Sequence, residues 1–149
     1  MHAYLLDQPD HALSAEVLRS EGILYWQLPV DPSEYAGPVA NICQDRGYVQ
    51  MDEIFLGENT PDLEALCAKF FVEHLHTDEE IRFVVAGSGI FDLRDVHDRW
   101  MRVHVVPGDL IIVPAQKYHR FTLDAQQTIT CKRLFQDTRG WVAEPRAGQ

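Results

Sequence analysis

Long apolar runs are missing from this chain of 149 residues, and no stretch approaches the roughly 18 residues that a membrane span needs. The N-terminus, Met1-His2-Ala3-Tyr4-Leu5-Leu6-Asp7, has no basic segment followed by a long apolar one, so no export signal is read there. Positive charge is scarce: 13 Lys and Arg stand against 23 Asp and Glu, a net charge of −10. That balance opposes phosphate backbones, and no Lys/Arg cluster offers a local exception, which argues against nucleic acid and membrane partners. The acidic surplus reads as a solubilising surface and identifies no ligand. Cysteine is also scarce. Cys43, Cys67 and Cys131 are an odd number in no C-x-x-C pattern, which fits reduced, buried thiols in a cytoplasm better than a disulfide framework. Repeats, low-complexity tracts and Pro/Gly/Ser linkers are absent too, so residues 1–149 are read as a single domain. What remains is an ordinary hydrophobic fraction of 46%, enough for a packed core.

The pattern changes along the chain. Residues 1–72 look mixed α/β. Ser14 can cap a short helix over Ala15 to Arg19 that Gly22 ends, and Ile23 to Leu28 reads as a strand. A second helix covers part of Tyr35 to Arg46, with Pro38 limiting where it begins. A third starts at Thr60 with Pro61 in its first position, and Leu63, Leu66, Cys67, Phe70 and Phe71 form its apolar face. From residue 73 to 141 short strands alternate with turn signals: Ile81 to Ala86, Ile90 to Asp95, Arg99 to Val106, Leu110 to Val113, Tyr118 to Asp124 and Thr128 to Phe135. Gly87-Ser88-Gly89 reads as a hairpin turn. So many short strands at this spacing predict a mostly β fold, an antiparallel barrel or jelly roll with an N-terminal α/β elaboration and a tail at 142–149.

The chemistry concentrates in His74-Leu75-His76-Thr77-Asp78-Glu79-Glu80. In an extended chain His74 and His76 share a face, and two imidazoles with a nearby carboxylate suit a divalent metal. His119 is the best candidate for a fourth ligand. It shares the apolar face of its strand with Phe121 and Leu123, where an imidazole needs a polar partner. His2, His11 and His97 read as surface or hydrogen-bonded residues, and His104, next to Arg102 on one strand face, as structural.

These residues carry a resemblance. His74-x-His76-x3-Glu80-x6-Gly87 matches the first motif of the cupin superfamily, and Gly108-x5-Pro114-x4-His119 closely follows the second. Ala68 and Gln116 stand where those motifs have Gly. Glu73 to Arg82, Gly87 to Asp95, Gly108 to Ala115 and Tyr118 to Asp124 resemble, more closely still, the acireductone dioxygenase family, as do Gly22 to Trp26 and Lys132 to Phe135. The resemblance implies a cupin jelly-roll barrel and oxygen-dependent cleavage of acireductone, a thioether of methionine salvage. It implies formate and a 2-keto acid with Fe2+, or carbon monoxide, formate and methylthiopropanoate with Ni2+. It implies one metal per chain, held by His74, His76, Glu80 and His119.

Glu80 and Arg82 would then be catalytic, Arg82 and Arg133 would contact substrate oxygens, and Phe70, Phe121 and Trp141 would wall the pocket. Read from the residues alone, Arg133 fits a structural ion pair equally well, and Phe70 and Phe121 fit plain core. The partners implied are acireductone and O2, with a monomer as the default. Another metal cupin enzyme, an isomerase or a different dioxygenase, is the rival reading, and a non-catalytic ligand-binding cupin the next.

Overall fold

Short strands pair antiparallel throughout and form two facing sheets. The computed structural model describes residues 1–136 and 142–148. In chain order the first half contains β1 (His2–Leu5), β2 (Gln8–Ala12), α1 (Ala15–Ser20), β3 (Leu24–Gln27), α2 (Pro32–Arg46), β4 (Gln50–Leu56) and α3 (Leu63–Phe70). The second contains β5 (His74–Leu75), β6 (Glu80–Gly87), β7 (Gly89–Arg94), β8 (Trp100–Val105), β9 (Asp109–Val113), β10 (His119–Leu123), β11 (Ile129–Phe135) and β12 (Glu144–Pro145). One sheet runs β12-β5-β10-β7-β8-β1-β2 and the other β3-β9-β6-β11-β4. From β6 onward the chain repeatedly passes from one sheet to the other, which is the jelly-roll arrangement expected from the strand spacing. No helix among the described residues is long and apolar enough to cross a membrane.

Alternation along the strands sets the core. Leu93, Met101, Val103 and Leu123 from the first sheet meet Val84, Ile111, Val113, Ile129 and Cys131 from the second, all buried in one cluster. The outer face of the second sheet is covered by α2, whose Tyr35, Val39 and Ile42 pack on Ile81, Phe83, Leu110, Ile112 and Leu134. That spacing of four and three residues is one face of a helix. The outer face of the first sheet is polar: Asp92, 1% exposed, receives bonds from Arg102 (2.8 and 2.9 Å) and Arg120 (2.9 Å). His104 is also on that face, within 2.9 Å of the Tyr4 hydroxyl, a structural contact.

Several local expectations need correction. Gly87-Ser88-Gly89 is not a hairpin, because β6 and β7 lie in different sheets. The register of β6 on β11 slips between Thr130 and Cys131, and Gly87 then turns at φ +71° while the Ser88 amide donates to Thr128 O at 3.0 Å. An irregularity of this kind is how a strand changes sheets. Pro38 lies inside α2 and does not delimit it. The helix begins at Pro32, with the Asp31 side chain accepting from Ser33 N at 2.9 Å, and burial of its apolar face outweighs the bond that Pro38 cannot donate.

Helix α3 starts at Leu63, later than Thr60, because Asp62 adopts φ +54° and Thr60 instead closes a turn onto Gly57. Phe71 lies beyond this helix and is exposed, under the Arg120 guanidinium at 4.2 Å. Of the three thiols only Cys131 is buried, and Cys43 and Cys67 are half-buried. Residues 1–72 are also built into both sheets: β1 pairs with β8, β3 with β9 and β4 with β11.

The corner at Gly87 generates a test. A Cβ there would stand 2.2 Å from Thr128 O, on a backbone at positive φ. Gly87→Ala should cost at least about 2 kcal/mol in a urea titration, from αL strain plus that contact. A wild-type midpoint would show that the corner relaxes freely.

Candidate metal centre

Strand register alone brings two histidines together: His119 of β10 pairs directly with His74 of β5. His76 follows two residues on, and Glu80 opens β6 in the opposite sheet, where it pairs with Val113. The site therefore straddles the open end between the sheets, with His74 and His119 from one, Glu80 from the other and His76 on the connection. The ring centroids of His74, His76 and His119 are 4.5, 5.0 and 5.4 Å apart, and one ligand atom from each lies within 4.8 Å of the others. Glu80 Oε2 is 2.7 Å from His119 Nε2, and Glu80 Oε1 is 3.9 Å from His76 Nε2.

Main-chain carbonyls aim all three rings. His74 Nδ1 donates to Val72 O at 2.6 Å, His76 Nδ1 to Val142 O at 3.3 Å and His119 Nδ1 to Lys117 O at 2.9 Å. A carbonyl can only accept, so each ring carries its proton on Nδ1 and turns an Nε2 lone pair inward. Burial lowers the His74 ring below its ordinary pKa, helped by the neighbouring His119, and lowers His76 likewise. Both are therefore neutral, ligand-ready imidazoles at neutral pH. For His119, burial pulls downward and the Glu80 carboxylate more than reverses it. Burial would raise the Glu80 pKa, but the Arg82, His119 and His76 groups around it hold it well below the usual carboxylate range.

A cation fits this donor set. Despite their 2.7 Å approach, Glu80 Oε2 and His119 Nε2 do not meet hydrogen-bond geometry, and both are buried without a hydrogen-bond partner among the described residues. Leaving such atoms unsatisfied costs about 1–3 kcal/mol each, and more for a charge. Three lone pairs and a carboxylate converging on one point are what a divalent ion satisfies.

The expected contact residues divide. Arg82 donates to Glu80 Oε1 at 2.7 Å and to Ile81 O at 3.0 Å, so it buttresses the carboxylate. Arg133, opposite Arg82 in the β11–β6 ladder, forks onto Asp52 of β4 at 2.8 and 2.5 Å. The carboxylates that these two guanidiniums need are thus supplied within the fold. Phe70 and Phe121 meet edge to face at 6.4 Å and line a narrow apolar cleft with Ile54, Leu56, Phe91 and Ile129.

Gly89 leaves room for the Phe121 ring, which a Cβ would approach to 2.6 Å. Cys131 also lines the cleft, its thiol pushed up to about 12 by burial. Glu80 and Arg82 join this cleft to an outer cavity of about 360 Å³, bordered by His74, His76, Lys69, Glu79 and Arg133. That volume suits a small ligand. Trp141 lies outside the described residues. Sequence reasoning missed Lys69, Glu79, Val142 and Ala143 on the cavity wall, and Asp52 behind Arg133. None sits at a diagnostic spacing, and no signal short of the fold would have found them.

A jelly roll that gathers three imidazoles and a carboxylate at its open end defines a metal-binding cupin. Within that class the chain belongs to the ARD/ARD' family, whose profile matches residues 6–143. It is 43% identical over 142 residues to acireductone dioxygenase of Dictyostelium discoideum, covering 95% of this chain and 97% of that one. It is 46% identical over 142 residues to acireductone dioxygenase of Heterostelium pallidum, covering 95% of each. Its structure is similar to that of acireductone dioxygenase from Bacillus anthracis with a cadmium ion in its active centre. The TM-score is 0.87 and the identity 29%, over 95% of this chain and 96% of that one.

Metal content tests the ligand set directly. Alanine at His74, His76, His119 or Glu80 should take bound Fe2+ or Ni2+ from about one per chain towards none, measured by elemental analysis after dialysis. Full occupancy in His119→Ala would remove that residue from the set.

Proposed function

We propose that this chain is a single-domain acireductone dioxygenase acting on 1,2-dihydroxy-3-keto-5-methylthiopentene and O2, with one Fe2+ or Ni2+ held by His74, His76, Glu80 and His119. The observation that carries the reading is the convergence of those four side chains beside a substrate-sized cavity that His74, His76 and Glu80 line, in a chain matching acireductone dioxygenases along 95% of its length. With Fe2+ the products are formate and 4-methylthio-2-oxobutanoate, and with Ni2+ carbon monoxide, formate and 3-methylthiopropanoate. When bound, the ion supplies Lewis-acid chelation of neighbouring substrate oxygens, and an electron-rich enediol needs no metal redox change to react with O2.

The chain's own residues do the remainder. Glu80 is held ionised by Arg82, with its other oxygen turned towards the imidazoles, which keeps it ready to ligate. Lys69, Arg82 and Arg133 border the cavity against Glu79 and Glu80, a small positive excess that favours an anionic substrate inside a protein whose net charge is −10. Phe70 and Phe121 offer the thioether tail an apolar cleft and keep water from the reacting carbons. The three free thiols suit a reducing, cytoplasmic setting.

The test is to strip the protein of metal, reload it anaerobically with Fe2+ or Ni2+, and follow O2 uptake, keto acid and headspace carbon monoxide. Keto acid from the Fe2+ form and carbon monoxide from the Ni2+ form are expected. No acireductone consumption by either form would overturn the activity. Carbon monoxide from neither, with keto acid from both, would overturn the metal-dependent split.

Arg82→Lys keeps the charge but loses the planar fork onto Glu80, so kcat/KM should fall about tenfold or more. Unchanged kinetics with a lowered Tm would make Arg82 a scaffold residue.

A further inference from the structure

Three residues separate His76 from Glu80, and their conformation decides how closely the two proposed ligands approach. The ends of this span are tied by the main chain. His76 O accepts from Gln116 N at 2.9 Å, and Glu80 enters the ladder with Val113. Among the described residues of the span, Glu79 is the one whose side chain bonds to another element. It accepts from Arg46 Nε at 3.0 Å, from Arg46 Nη2 and from the Tyr48 hydroxyl.

Local sequence explains how these two donors come to one carboxylate. Gly47 ends α2 at φ +73°, the left-handed turn that glycine adopts without strain, and the Tyr48 amide closes it onto Cys43 O at 2.9 Å. Arg46 and Tyr48 thereby project together, with Arg46 Nε also 3.3 Å from the Tyr48 oxygen. The segment is fixed from behind as well. Gln136 donates to Arg46 O at 2.7 Å and Val49 N to Phe135 O at 2.9 Å, which ties it to the end of β11. A continuous chain of bonds therefore runs from α2 and β11 to Glu79, the residue beside Glu80.

We propose that Glu79, gripped by Arg46 and Tyr48, is a positioning residue that fixes the span between His76 and Glu80 and so sets the approach of the Glu80 carboxylate to the imidazoles. The inference rests on the metal-binding reading of the site and deepens it. A surface ion pair would add little to such a centre. This one combines a two-nitrogen fork, a phenol and a half-buried carboxylate on the rim of the metal cavity, where partners that orient ligands commonly govern affinity 10–100-fold.

The experiment compares metal-loaded wild type with Glu79→Ala, Glu79→Gln and Tyr48→Phe. It reads metal affinity by chelator competition with Ni2+, kcat and KM with acireductone, and Tm. Glu79→Ala should bind Ni2+ about tenfold or more weaker and lose kcat with KM little changed. Glu79→Gln, which keeps one acceptor, should recover part of both, and Tyr48→Phe should show a smaller loss in the same direction. Tyr48→Phe removes a single hydroxyl and carries the test should Glu79→Ala not fold. Wild-type affinity and kcat in the variants, with only Tm lowered, would overturn the proposal and leave the metal centre standing. A wild-type protein that binds no metal would overturn the proposal together with the centre.

Discussion

The 2.7 Å approach of Glu80 Oε2 to His119 Nε2 is the constraint around which the rest of the molecule is arranged. The carboxylate comes from the first residue of β6 in one sheet and the imidazole from β10 in the other. Neither atom has a hydrogen-bond partner among the described residues. Two buried, electron-rich atoms in that relation are costly, so the fold tolerates them only because the surrounding groups hold them there and a cation suits them.

The groups that hold them come from distant parts of the chain. Carbonyls of Val72, Lys117 and Val142 fix the tautomers of the three rings. Arg82 supports Glu80 on its own strand, while Arg133 and Asp52 extend the same row across β11 and β4. Glu79, Arg46 and Tyr48 do the same from the helical side. The row thus runs from the Glu80 carboxylate through the Arg82 and Arg133 guanidiniums to the Asp52 carboxylate, two charges of each sign. The apolar cleft under Phe70 and Phe121 adjoins this polar rim, so one cavity offers cations and ligand atoms at its mouth and hydrocarbon beneath.

Elements with strong alternation or an unbroken apolar run were legible from sequence, and those with neither were not. The strand through Met101 stood out because its buried residues recur every second position, and that through Ile111 because it is an unbroken buried run between turn signals. Strand β4 did not, since Gln50 and Asp52 break up the side it shares with Ile54 and Leu56. β1 and β2 were missed for a similar reason: β2 is exposed along its whole length, and pairing alone makes it a strand. The Gly87 corner was misread because a glycine-flanked break looks the same whether the next strand returns to its own sheet or crosses to the other.

By itself the sequence determined the chemistry available. His74, His76 and Glu80 lie within seven residues, and His119 sits on an apolar strand face, so residue type and period-two geometry pointed to a metal site, and the family resemblance implied these four as its ligands. Only the tertiary structure decided which carboxylates answer Arg82 and Arg133, which carbonyls aim the rings, and that Arg46 and Tyr48 reach Glu79. Those pairings join residues 31 to 81 positions apart, or depend on which face of a sheet a side chain takes. Spacing along a chain encodes local period, and distance across a fold is set by register and by how sheets stack.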